Sequence, residues 1–330
     1  MNLKHALLTL GLAVLTTGLP AASKNELTIA VIPKGTSHEF WKSIHAGAVK
    51  AGREFDASGR KINLIWKGPL REDDREQQVQ VVENFIGRRI SGMVLAPLDS
   101  QALVGPVETA GKANIPVVII DSGLNTDKIV SFIATDNYHG GELAADRLAE
   151  LLGEKGNALM LRCQVGSAST EERESGFLNR MRGRHPGIRI ISSDQHGGAT
   201  RDTAYRASQN LLNRFGRETQ GIFTPNESTS VGMLLAMRDA GLAGGRVKLV
   251  GFDSGEQLVG ALRDGDLQGL VSQNPFKMGY LGVKTLVDHI DGKPVDLMVD
   301  TGVTLVTPEN VDDPEINELL NPPLAEFLNP

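Results

Sequence analysis

Leu27-Thr28-Ile29-Ala30-Val31-Ile32 is followed by the polar turn Lys34-Gly35-Thr36-Ser37-His38-Glu39 and then by Phe40-Trp41, which opens a helical pattern running to Phe55. An unbroken aliphatic run of this length predicts a strand buried on both faces, as parallel strands are. Strand, loop and helix together are half of a βαβ unit, and the same alternation continues outward. Ile62 to Trp66, Gly92 to Ala96 and Pro116 to Asp121 are further strand-like runs, separated by helical spacing over Arg75 to Arg88 and Ala102 to Ala113. The pattern then restarts. Ala158 to Arg162, Ile188 to Ser192, Gly221 to Thr224 and Val247 to Phe252 read as strands, and Glu171 to Arg184, Asp202 to Phe215 and Ser228 to Ala240 as helices. The expected fold class is α/β, with two tandem doubly wound parallel-sheet lobes.

Composition fits this reading. The 330 residues exceed one ordinary core, and 40% hydrophobic with 22% charged residues describes a globular chain. A formal net charge of −6 argues against a nucleic-acid partner. The first 23 residues read as a secretory signal: Lys4 and His5, an apolar stretch from Ala6 to Leu19, and small residues at Ala21-Ala22-Ser23 for cleavage. No cysteine stands near that point to carry a lipid, so the product is expected free in the periplasm. The lone Cys163, in an apolar setting, is expected to be a buried small hydrophobe.

In an open parallel sheet, ligands collect outside the carboxyl ends of the strands. Lys34, Asp121, Asn226, Asp253 and Gln273 all follow apolar runs in this way. Five hydrogen-bonding side chains delivered from two lobes suit a ligand rich in hydroxyls. Phe40 and Trp41 sit at the start of the first helix, about 100° apart, so both cannot join one narrow core stripe. A ring there can face the crevice and stack on the apolar face of a sugar.

These features resemble the ribose-type periplasmic sugar-binding proteins, which share the type I periplasmic binding protein fold with the sensing part of lactose-repressor-type regulators. The resemblance runs from about Leu27 to about Asp300. It is carried by Thr28-Ile29-Ala30-Val31 leading to Phe40-Trp41, Asn114-Ile115-Pro116-Val117 leading to Asp121, Ala134-Thr135-Asp136-Asn137 with Gly140-Gly141, Glu172-Arg173 before Gly176-Phe177, Asn226-Glu227, Val250-Gly251-Phe252-Asp253, and Gln273 before Gly279. It implies that Phe40 and Trp41 sandwich a sugar ring while Asp121, Arg173, Asn226, Asp253 and Gln273 bind its hydroxyls; Lys34 and His38 of the first loop complete the expected contacts. It also implies a three-stranded hinge near Thr135-Asp136, Gln273-Asn274 and Thr301-Gly302. The first lobe would hold residues 25–134 plus 275–302, and the second 136–273 plus 303–330 with the tail. The expected partner is an inner-membrane ABC permease, and the expected state a monomer.

Two departures weaken ribose itself as the ligand: Ser122 stands where the ribose pattern has an arginine, and His196 to Thr200 lacks its aromatic. Ile32-Pro33-Lys34, Asp121-Ser122 and Pro225 also resemble receptors for autoinducer-2, although the second-lobe aspartate-glutamine pair of those receptors is missing. Lys34 with Arg173 would suit a sugar acid unless acidic neighbours pair with them. No Gly-x-x-x-x-Gly-Lys, Gly-x-Gly-x-x-Gly, Gly-x-Ser-x-Gly or His-Glu-x-x-His pattern is present, so neither an enzyme, a cofactor nor a metal site is expected.

Overall fold

The computed structural model describes residues 26–329; the signal segment read at residues 1–23 lies outside them. In the first half, strands β1 (Glu26–Ile32), β2 (Lys61–Trp66), β3 (Gly92–Leu95), β4 (Val117–Ile120) and β5 (Ser131–Ala134) enclose helices α1 (Glu39–Ala57), α2 (Arg75–Gly87) and α3 (Val104–Lys112). Helix α4 (Asn137–Leu152) then opens a second series. Its strands are β6 (Gly156–Met160), β7 (Ile188–Ser192), β8 (Gly221–Phe223), β9 (Lys248–Phe252) and β10 (Gly269–Gln273), and its helices α5 (Ala168–Arg184), α6 (Arg201–Phe215), α7 (Glu227–Asp239) and α8 (Glu256–Arg263). The chain returns through α9 (Pro275–Ile290) and β11 (Met298–Asp300), crosses again to β12 (Val303–Val306), and ends in α10 (Pro314–Leu320) and α11 (Leu324–Leu328).

The two sheets repeat one topology. Their orders are β2-β1-β3-β4-β5-β11 and β7-β6-β8-β9-β10-β12. The first is parallel throughout, and in the second only β12 runs antiparallel to its neighbour. Alternation along each strand splits the apolar residues between two helical layers. In the first lobe Ile29 and Val31 pack with α1 and α9, and Ala30 and Ile32 with α2 and α3. In the second lobe Ala158 and Met160 pack with α4 and α5, while Leu159 and Leu161 face α6, α7 and α8.

Paired glycines set how closely the inner helices approach. A Cβ on Gly47 would lie 1.9 Å from the Phe276 carbonyl oxygen, and one on Gly279 would lie 1.9 Å from that of Ile44, so α1 and α9 touch backbone to backbone. The second lobe repeats the device with α4 and α5. There Gly141 meets the Arg173 carbonyl oxygen at 2.0 Å, and Gly176 that of Tyr138 at 2.1 Å.

Between the sheets the chain passes at Thr135-Asp136, at Asn274 and at Thr301-Gly302. The crossings are tied to one another: Thr301 N–H donates to the Ala134 carbonyl at 2.9 Å, and Thr135 Oγ1 donates to the Gly302 carbonyl at 3.2 Å. The tail is shared between the two lobes. α10 lays Ile316 and Leu320 on the second-lobe core, as placing 303–330 there requires. α11, however, returns to the first lobe, with the Phe327 ring 5.7 Å from that of Phe276 and the Arg53 guanidinium donating to the Glu326 carbonyl at 2.9 Å. An exposed apolar face on so short a helix needs a partner, and the nearest one belongs to α1 and α9.

Candidate ligand site between the lobes

The carboxyl ends of both sheets face one cavity, and Lys34, His38, Phe40, Trp41, Asp121, Arg173, Asn226, Asp253 and Gln273 all line it. Topology explains this: β1 and β4 deliver the first-lobe groups, and β8, β9 and β10 deliver three from the second, while Arg173 comes from the second turn of α5. Gln78 of α2 braces the first-lobe loops, donating to the Pro33 and Ala96 carbonyls at 2.9 and 2.8 Å and accepting from Leu98 N–H at 2.8 Å.

The lobes are closed on each other. Lys34 Nζ donates to Ser169 Oγ at 3.1 Å, and Ser122 Oγ accepts from Ser169 N–H at 3.0 Å. Ser122, where the ribose pattern has an arginine, thus latches the lobe interface. The loop between β6 and α5 reaches across, Gly166 C=O accepting from Ser100 N–H at 2.9 Å and Arg75 donating to the Val165 carbonyl at 2.5 Å.

Charges within the cavity are paired. Lys34 Nζ lies 2.7 Å from Asp121 Oδ2, an ion pair whose angle is not that of a hydrogen bond. Arg173 is 2% exposed and stacks 3.9 Å above the Phe252 ring. Its Nε donates to Asn137 Oδ1 at 2.8 Å and one Nη to the Pro225 carbonyl at 2.9 Å, with Asp253 Oδ1 3.9 Å away. Asp253 accepts from Gln273 Nε2 at 2.6 Å and from Glu227 N–H at 2.9 Å. Among the cavity's side chains, Arg173 Nη2 and Gln273 Oε1 are buried without a hydrogen-bond partner, and Asp121 Oδ2 has its ion pair with Lys34 alone. Leaving such atoms unsatisfied is costly, so a donor or acceptor arriving from a ligand is favoured there.

The opposite wall is aromatic. Phe40 and Trp41 meet edge to face, with centroids 5.0 Å apart. The Trp41 indole N–H donates to Glu72 Oε1 at 2.6 Å, and the same oxygen is 2.7 Å from His38 Nδ1. Burial alone would lower the His38 pKa, but the charge and hydrogen bond of Glu72, helped by the charge of Glu227, push it up to about 9. Burial works against Glu72 ionisation, yet His38, the indole N–H and Lys34 together hold its carboxyl below the usual value. Burial raises Asp253, with Arg173 and Gln273 opposing, and raises Glu227, against His38 and Arg201.

Asn226 plays a part its strand-end position did not reveal. Its Oδ1 accepts from Thr229 N–H and Oγ1 at 3.3 and 2.6 Å, capping α7, and its amide donates to Ser228 Oγ at 3.0 Å. Cys163 also lines the cavity, but burial, with Glu72 and Glu174 nearby, pushes its thiol up to about 12, so it is no nucleophile. Among the described residues, no three His, Cys, Asp or Glu side chains are grouped to hold a metal. Sequence reasoning missed Glu72, one of six consecutive charged residues from Arg71 to Glu76 with nothing to mark which turns inward.

Comparison with known proteins places these features in a group. Residues 29–294 match the family model described as the periplasmic binding protein domain. The D-ribose/D-allose-binding protein of Pseudomonas aeruginosa is 30% identical across 84% of this chain and 88% of its own. The ribose import binding protein RbsB of Bacillus subtilis is 27% identical across 87% of this chain and 89% of its own. Among solved structures, a carbohydrate transporter solute-binding protein from Agrobacterium radiobacter in complex with D-arabinose has 33% identity and a TM-score of 0.84, covering 91% of this chain and all of its own. An ABC transporter solute-binding protein from Agrobacterium vitis with bound D-fucose has 34% identity and the same TM-score of 0.84, covering 89% of this chain and all of its own.

Proposed function

This chain belongs to the periplasmic binding protein family, and from that premise we propose that it captures a small neutral sugar or polyol in the interlobe cleft and delivers it to an ABC importer. The observation that carries this reading is the closed cavity, in which Arg173 Nη2 and Gln273 Oε1 lack protein partners opposite an aromatic wall. Hydroxyls supply both a donor and an acceptor to two such atoms, and the apolar face of a sugar ring suits the indole.

Charge balance favours a neutral ligand over a sugar acid. Lys34 and Arg173 face Asp121 and Asp253, and His38 faces Glu72. Arg201 is hydrogen-bonded to Glu227 at 2.5 Å. A carboxylate would enter a site whose cations already have partners. The protein turns nothing over; it acts as a monomer, exported with cleavage near Ser23, and meets its permease in the periplasm. Domain closure about the three crossings commits the ligand, because the groups that hold it come from both lobes.

A thermal-shift and calorimetric screen of mature protein against pentoses, hexoses, polyols, sugar acids and autoinducer-2 tests the reading. A ligand that binds only the folded state, at a thousandfold excess over Kd, stabilises by about 4 kcal/mol. Stabilisation by one neutral sugar or polyol is expected. A response confined to sugar acids or to autoinducer-2, or to none of the panel, would refute it.

A further inference from the structure

Glu72 is the one charged side chain that the loop between β2 and α2 sends inward: Lys67, Arg71, Asp73 and Asp74 are exposed, whereas Glu72 is 9% exposed. The backbone makes room for it. A Cβ on Gly35 would come within 2.7 Å of Glu72 Cγ, so the glycine in the facing loop leaves the space the carboxylate occupies. The residue is held from both lobes, since its carbonyl accepts from Gln164 Nε2 of the second lobe at 3.0 Å. Its Oε1 meets His38 Nδ1 at 2.7 Å and Trp41 Nε1–H at 2.6 Å, and all three side chains line the ligand cavity.

An indole has a single N–H, and once that group is tied to a fixed acceptor the plane of the ring is set. A charged acceptor makes this bond stronger than a neutral one would.

We propose that Glu72 is a positioning residue of the ligand site, fixing the Trp41 ring plane and the His38 imidazole as one preformed wall against which the apolar face of a neutral sugar or polyol rests. This rests on the sugar-capture reading above. Glu72, His38 and Trp41 all belong to the first lobe, so the side-chain contacts that build the wall are made within one lobe. Preforming it removes the cost of ordering a large side chain when ligand arrives.

Trp41 and Trp66 are the only tryptophans, so a spectrum of ¹⁵N-labelled indoles shows two N–H signals, and Trp66→Phe assigns them. Glu72→Ala is expected to move the Trp41 signal in the protein without sugar. It should also weaken whichever of D-ribose, D-allose, D-arabinose and D-fucose the parent binds by about tenfold, as loss of a charge-assisted hydrogen bond does. Glu72→Gln keeps an acceptor for the indole and should restore much of the signal position and part of the affinity. If Glu72→Ala fails to fold, Gly35→Ala crowds the same carboxylate without removing it and is read by the same two measurements. An unmoved Trp41 signal, or a moved signal with unchanged affinity, overturns the positioning role while sugar capture stands. A parent that binds none of the four sugars, or any of the wider panel, removes sugar capture itself and the positioning role with it.

Discussion

Asp121 and Asp253 hold the same place in the two lobes. Each follows the fourth strand of its series, each has a left-handed backbone, φ 65° and 69°, and each donates its N–H to the next strand, to the Ile133 carbonyl at 3.0 Å and the Val271 carbonyl at 2.9 Å. Aspartate tolerates this conformation better than most side chains, while alanine gains nothing from it. One residue type therefore serves two ends, turning the chain out of the sheet and aiming a carboxylate into the cleft.

Asp253→Gly and Asp253→Ala should therefore differ. Both remove the carboxylate that faces Arg173, and both should weaken ligand binding at least about tenfold. In the absence of ligand, urea unfolding should find the glycine variant more stable than the alanine variant by about 1 kcal/mol, because glycine takes positive φ freely. Equal stabilities would show that the turn carries no backbone strain.

How much of this was legible in the sequence depended on what each element buries. β4, Val117-Val118-Ile119-Ile120, is enclosed on both faces and reads as an unbroken aliphatic run. β11, Met298-Val299-Asp300, is a partly exposed edge and carries no comparable signal. α4 gives a weak helical signal, because its buried face, at regular helical spacing, is mostly the small residues Gly140, Gly141, Ala144, Ala145 and Ala149 around Leu148, as the close approach of α5 requires. In the site, the strand-end groups were legible because topology alone puts them at the crevice. Glu72 was not, since its inward turn depends on Gly35 and Trp41, which are distant in sequence and close only in space. Asn226 lies at a strand end and lines the cavity, but its role as a helix cap depends on local backbone geometry.

The glycines of α5 give a test within one helix. A Cβ at Gly176 meets the Tyr138 carbonyl oxygen at 2.1 Å, whereas nothing lies within 4 Å of one at Gly183. Gly176→Ala should destabilise by about 1–3 kcal/mol or more through overpacking. Gly183→Ala should stabilise by about 0.5–1 kcal/mol through helix propensity. Denaturant midpoints of the two variants falling on the same side of the parent would contradict the close α4–α5 crossing.

The returning tail should contribute to the first lobe. Phe327 is half-buried against Phe276, and its ring lies 5.4 Å from the Arg53 guanidinium carbon. Ending the chain after Asn321 should cost about 1 kcal/mol, part of the burial of one aromatic side chain, seen as a thermal midpoint lowered by a few degrees. Phe327→Ala alone should reproduce most of that loss. An unchanged midpoint in both would mean that α11 rests on the lobe without stabilising it.

The His38–Glu72 pair predicts a pH dependence with a definite sign. The imidazole rises from 6.5 when unfolded to about 9 when folded, despite burial and the opposing charge of Arg201, because Glu72 and Glu227 face it. A group whose pKa is raised by folding contributes its full stability below the unfolded value, and that contribution disappears as pH climbs through the folded one. Glu72 works in the opposite sense: its lowered carboxyl contributes above about 4.5 and is lost on acidification. Both are therefore charged, and the pair is at its strongest, between about pH 4.5 and 6.5. Going from pH 6.5 to 9.5 should remove on the order of a few kcal/mol of unfolding free energy through His38 alone. Other groups titrate over the same range, so the difference between the parent and His38→Gln isolates the effect. The parent should lose more stability than the variant as pH rises over this interval, and the two profiles should run parallel above about pH 10. Profiles parallel from pH 6 upward would mean that the imidazole is not held charged by Glu72.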